Sequence, residues 1–166
     1  MAYDLDQFIA DCRSTLGRDP GPAGRETVRK NLERLLANPA FIQGYCGDDQ
    51  PRGLKMLYED PKLGFQVLAH INDKARVSPP HDHGESWAIY GQATKYTEMT
   101  EWEHEDDGSD PKHAKLRPIK KYRLEPGMAF TGPAVIEDAG PTIVIHPGQQ
   151  VEIDGYRNVH IRIGAS

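Results

Sequence analysis

Cysteine is scarce. Only Cys12 and Cys46 occur in 166 residues, too few for a disulfide framework or an all-cysteine zinc site. No apolar run approaches the roughly 18 residues that a membrane-spanning helix needs. There is no basic excess: 20 Lys and Arg stand against 25 Asp and Glu, a net charge of -5 at pH 7. A general binder of nucleic acid or of anionic membranes is therefore not expected. The start, MAYDLDQF, lacks a basic stretch followed by an apolar one, so no secretory signal is expected. A reducing cytoplasm is the default location. Internal repeats, low-complexity tracts, a Gly-rich phosphate loop, a nucleophile elbow and a dinucleotide fingerprint are all missing.

What is present fits one domain. Apolar residues make up 37%, with 16 glycines besides, which suits a globular chain with its own core. The 13 prolines and 16 glycines mark a chain rich in turns. That favours many short strands over a helical bundle. Two helices are expected first. Leu5, Phe8, Ile9, Cys12 and Leu16 form one stripe over 4–17, with Asp4 and Gln7 spaced for a capping box. Cys12 lies on that stripe and reads as core. Gly17 and Asp19-Pro20-Gly21-Pro22 end the helix. Val28, Leu32, Leu35 and Leu36 line a second helix over 24–37, stopped at Asn38-Pro39. Its Arg25, Arg29, Lys30 and Arg34, interleaved with Glu26 and Glu33, read as a solvated face.

From about residue 54 the period becomes two. Phe65, Val67, Ala69 and Ile71 alternate with Gln66, Leu68 and His70. Further strands are expected near 85–102, 116–124, 128–131, 142–146, 150–153 and 157–163. Pro79-Pro80, Pro126-Gly127, Gly132-Pro133, Gly140-Pro141 and Pro147-Gly148 punctuate them. The polar stretch 103–115 reads as an exposed hairpin loop. Short strands with regular breaks point to a barrel or sandwich.

Seven histidines occur, and their placement carries the chemistry. On a strand, His81 and His83 would point to one face with Cα atoms about 6.5–7 Å apart. Two imidazoles there can share a metal ion or be two surface histidines beside a turn. His146, ending the β-branched run Thr142–Ile145, is the best third ligand, with His160 next and Glu85 an outside candidate. Such a set suits iron(II), zinc, nickel, copper or manganese. His70 faces outward or inward on its strand; His104 and His113 read as solvated. Trp87, Tyr90 and Tyr96 read as core or pocket wall, and Tyr90 could donate a hydrogen bond to a bound ligand.

The stretch PPHDHGESWAIYG followed by KYTEMTEWEHEDDG resembles the first metal motif of the cupin superfamily, nearest to its thiol dioxygenase branch. The resemblance spans about 54–166. It implies a mainly β fold: a cupin double-stranded β-helix, or jelly-roll barrel, over 54–166, with a helical segment over 1–53 packed on it. It implies His81, His83 and His146 as ligands of iron(II), His160 as an outer partner, and Lys55 as the group that pairs with a substrate carboxylate. Arg76 and Arg162 are alternatives to Lys55. Several positions depart from the pattern: Ala75, Trp87 and Ala88, Val135, Asp138, Asn158 and Arg162 stand where the family has other residues. These departures weigh against cysteine itself as substrate.

A second resemblance competes. GPAVIEDAGPTIVIHPGQQVEIDGYRNVHI, residues 132–161, is similar to the C-terminal β segment of the hydantoinase/oxoprolinase and acetone carboxylase large-subunit family. That family has a proline where His146 stands, and there the stretch is structural.

The expected function on the first resemblance is a mononuclear non-heme iron oxygenase of the thiol dioxygenase type. It would act on O2 and a small carboxylate-bearing substrate, with His160, Lys55 and Tyr90 assisting. Alternatives are a zinc or manganese Lewis-acid isomerase or hydrolase, or a non-catalytic cupin that binds a small molecule. Analogy with cupins suggests a homodimer.

Overall fold

The computed structural model describes residues 2–72, 87–106, 114–131, 149–153 and 159–163, the last two by backbone alone. Helix α1, Leu5–Arg18, starts on the expected capping box: Asp4 accepts from the Gln7 backbone N–H, and the Gln7 side chain accepts from Asp4 N–H. Its stripe buries Phe8, Cys12 and Leu16. Helix α2, Pro22–Leu36, begins with proline at its first position, where a missing N–H costs nothing. It buries Val28, Leu35 and Leu36. Asn38 ends this run and starts the next. Its Oδ1 accepts from Ala40 N–H and its Nδ2 donates to the Tyr3 carbonyl, both at 3.0 Å. The short helix α3, Pro39–Phe41, then loosens into a π-helical turn, Ile42–Cys46.

The strands are β1 (Gly53–Glu59), β2 (Gln66–Ile71), β3 (Ile89–Gly91), β4 (Thr97–His104), β5 (Leu116–Leu124), β6 (Ala129–Thr131), β7 (Gln149–Ile153) and β8 (Val159–Ile163). The expected strand over 85–102 is two strands. The chain breaks at 92–96, where Lys95 takes a left-handed φ of 60°. The expected strand at 142–146 lies outside the described residues.

The jelly-roll barrel is not what forms. Among the described residues the strands make four separate two-stranded antiparallel sheets: β1 with β2, β3 with β6, β4 with β5, and β7 with β8. Hydrophobic alternation sets which face of a strand is buried, but not which strand it pairs with. Here local hairpins claim β1–β2 and β4–β5, and only β3–β6 pairs at a distance.

Asp60 holds the first hairpin to α1. Its side chain is fully buried. Oδ1 accepts from the backbone N–H groups of Lys62 (2.9 Å) and Leu63 (2.8 Å), closing the β1–β2 turn. Oδ2 accepts from Arg13 Nε at 2.8 Å and from the Tyr58 hydroxyl at 3.0 Å, while Arg13 also donates to Tyr58. The Arg13 hydrogen bond, then the two backbone donors, hold the carboxyl well below the usual carboxylate range.

Two apolar cores result. The first gathers Phe8, Cys12, Leu16, Val28, Leu35, Leu36 and Phe41, with Leu57, Phe65, Val67, Trp87 and Ile89 against it. The second is Met99 and Leu124, with Tyr90, Tyr122 and Phe130 packed on them. Gly24 marks how tightly α2 meets the loop before it: a Cβ there would fall on the Asp19 carbonyl oxygen.

Two stability predictions follow from these contacts. Alanine normally favours a helix over glycine by about 1 kcal/mol. Gly24→Ala should do the reverse and destabilise by about 1–3 kcal/mol, because backbone must move; Leu35→Ala should cost about 2–5 kcal/mol. Urea melts of both variants check the sign and the order. For Asp60 the folded carboxyl titrates lower than the unfolded one, so its contribution is present above about pH 4 and fades as pH falls below that. Asp60→Asn should therefore be less stable at neutral pH, and its urea midpoint should converge on the parent's between about pH 4 and pH 2. Curves that stay parallel across that range would contradict the role.

Candidate functional site

The β3–β6 sheet lies between the two cores. Ile89 packs on the helical core, while Tyr90 and Phe130 pack on the Met99–Leu124 core. Their pairing in register brings the rings together, stacked at 5.1 Å, and Tyr122 meets Phe130 edge-on at 5.9 Å. Burial, then the neighbouring Glu101 carboxylate, pushes the Tyr122 hydroxyl up to about 12. On the helical side β3 sits close to α2. A Cβ on Gly91 would come within 2.7 Å of Leu36 and 2.8 Å of Leu32.

Helix α2 also grips β6 by its main chain. Arg29 Nη1 donates to the Ala129 carbonyl at 2.9 Å, and Ala129 N–H donates to Glu33 Oε1 at 3.2 Å. The two side chains pair with each other at 2.5 Å, and Arg29 is held further by Glu26 at 2.7 and 2.9 Å. Those bonds hold the Arg29 guanidinium even more firmly protonated and the Glu26 carboxyl below its ordinary range. The expected solvated face is thus partly engaged. Arg34 lies over the Tyr3 ring at 4.0 Å and Arg25 over Trp87 at 5.4 Å. Gln92 completes the junction. Its N–H donates to the Met128 carbonyl, its carbonyl accepts from Gly127 N–H, and its side chain bonds Thr94 and Thr97 at the start of β4.

The residues expected to carry chemistry fall on different elements. Lys55 is exposed on β1, its Nζ 5.7 Å from the Tyr45 ring centroid. Tyr90 is half-buried on β3. His160 stands in β8 opposite Glu152 of β7, and Arg162 opposite Gln150. These are three separate two-stranded sheets. His81, His83, His146, Glu85, Arg76 and His113 lie outside the described residues. His70, half-buried on β2, stands opposite Leu54. His104 is exposed, with Nδ1 3.0 Å from Asp106 Oδ1. Among the described residues no three His, Cys, Asp or Glu side chains gather closely enough to hold a metal ion. No described helix is long and apolar enough to cross a membrane.

The class these observations define is a two-core α+β protein whose described strands pair two by two, all antiparallel. Residues 112–163, about a third of the chain, match the hydantoinase/oxoprolinase C-terminal domain. No curated protein matches the chain. The match covers β5 to β8 and favours the second of the two resemblances. It overturns the cupin assignment, and with it the jelly-roll expectation, the iron-dependent dioxygenase activity and the cupin-based alternatives. A His-x-His pair after a turn and a later strand histidine are short patterns, whereas the matched segment is continuous over some fifty residues. The likeness associates the chain with an enzyme family, not with a dioxygenase.

Arg29, Glu33 and Asp60 make the contacts least visible in sequence. The spacing Glu26-x2-Arg29-x3-Glu33 signals helix-surface ion pairs, but not that their target lies at residue 129. Asp60 before Pro61-Lys62-Leu63-Gly64 carries a turn signal, but not its bond to α1.

Thiol chemistry provides a check on the site. Burial, with a smaller push from Asp11, raises the Cys12 thiol to about 12, and burial also raises Cys46, partly offset by Lys55. Both are therefore less ionised than a free thiol at pH 8, and alkylation of the folded protein should be slow, rising only above the ordinary thiol range. Iodoacetamide labelling followed by mass spectrometry should show both sites labelled quickly in denaturant alone; rapid labelling of folded Cys12 would contradict the burial.

Proposed function

We propose that the chain serves a hydantoinase/oxoprolinase-type enzyme as its C-terminal β-rich module. The match over 112–163 is the observation that supports this. The reaction class is opening of a cyclic amide such as hydantoin or 5-oxoproline: water adds across the ring C–N bond, its hydroxyl going to the carbonyl carbon and its proton to the nitrogen. The module's part is positional. The Asp60 carboxylate and the two thiols are committed to packing and turn closure, and the α2–β6 grip fixes β6, one of the matched strands, on α2.

The test uses the full chain immobilised on beads. Extract from the source cell is passed over it, and the retained fraction is assayed by mass spectrometry for opened hydantoin and 5-oxoproline. The expected result is ring opening in the retained fraction well above control beads, with none by the chain alone. A retained fraction no better than control, or turnover by the isolated chain, would each overturn the accessory role.

A further inference from the structure

The β4–β5 hairpin sorts charge by strand. β4 carries Glu98, Glu101 and Glu103, and β5 carries Arg117, Lys120, Lys121 and Arg123. Cross-strand register puts Arg123 against Glu98 (3.4 Å), Lys120 against Glu101 (3.6 Å) and Arg117 against Glu103. Lys121 faces Thr100 and has no carboxylate across from it. Among the described residues it forms no ion pair.

The two strands also differ in cover. On β4, Met99 and Thr100 are buried and 101–103 half-buried. On β5, all of 117–121 are exposed, including Ile119 at 51%. Among the described residues the only strand bonded to β5 is β4, and the outer edge of β5 there offers main-chain donors and acceptors beside a row of cations. Unprotected edges of this kind invite another strand. Pro118 and the register shift between Glu101 and Trp102, which leaves Ile119 unpaired, interrupt the ladder there. That confines any added strand to Lys120–Leu124. A second copy of this chain fits poorly. Its β5 would set cation against cation, and its β4, the acidic strand, is the covered one.

We propose that the outer edge of β5 over Lys120–Leu124 takes an extended acidic segment of another protein by strand addition. Residues two apart share a face, so a segment with Glu or Asp at alternate positions sets carboxylates beside Lys121 and Arg123. Main-chain bonds would supply affinity, and the charge row would select the partner. This goes beyond the ring-opening reading and does not depend on it.

The probe is a short, end-capped, fluorescent peptide of alternating Glu and Thr, titrated against the full chain by anisotropy. Binding is expected to weaken about tenfold from low to physiological salt and about tenfold in Lys121→Glu, one exposed charge reversed. Lys121→Arg should bind like the parent. Amide exchange at Lys120–Leu124 should slow in the complex. Because Lys121 is exposed and unpaired among described residues, circular dichroism of the variants should match the parent. The proposal is overturned if the peptide does not bind, if Lys121→Glu binds unchanged, or if an alternating Lys-Thr peptide binds as well. It is equally overturned if proline at two adjacent central positions, which removes an N–H from each edge of the peptide strand, leaves affinity intact, since attraction without a ladder would then explain the binding.

Discussion

Two side chains of one helix do for strand β6 what a neighbouring strand would do. Glu33 accepts the Ala129 N–H and Arg29 donates to the Ala129 carbonyl, the same pair of groups an antiparallel partner would meet. A buried main-chain group left unpaired is costly, typically about 1–3 kcal/mol. Among the described residues β6 has a strand on only one side, and this grip is what covers its other edge with a helix. The pair is effective because it is pre-ordered: Glu26 fixes Arg29 from the far side. Arg29 is mostly shielded while both glutamates are partly exposed. The Coulombic part is therefore screened, and the geometric part, satisfying Ala129, carries the weight.

From that grip the rest of the order follows. With β6 fixed on α2, its partner β3 must lie over Leu32 and Leu36, where Gly91 leaves room. Residues on alternate faces of β3 then commit Ile89 to the helical core and Tyr90 to the second one. Gln92 passes the constraint on to the start of β4. Asp60 acts in the same manner at the other end, joining a turn to a helix through one buried carboxylate. In both places a charged side chain serves backbone groups, which is where such bonds are strongest.

This explains what could and could not be read from the sequence. Both helices were legible because stripes such as Phe8, Cys12 and Leu16 depend on local period alone. The β5 range was legible to the residue and β6 to within one, since turn residues bound both. Sheet pairing was not, because β3 and β6 meet across some forty residues with nothing in either strand to name the other. The break at 92–96 was hidden because Lys95, not glycine, takes the positive φ. Lys55 and Tyr90 could be named as candidates from the sequence, but their placement on different sheets depends on pairing and so was out of reach. The cupin reading failed at that same step: it supplied a closed pairing scheme that alternation by itself never implied.

The same pairing bears on what the family likeness means. The matched segment begins before β5 and ends with β8. Among the described residues within it, only β7 and β8 pair with each other. β5 is laddered to β4, and β6 to β3 and to α2, all of which precede the match. Among the described residues, two of the four strands in the stretch that is similar to a named domain take their ladder partners from outside it. Cutting the chain ahead of it would strip β5 of the β4 ladder and β6 of both the β3 ladder and its helix clasp. The N-terminal elements consequently hold β5 and β6 in place, through main-chain bonds that similarity of side chains does not reveal.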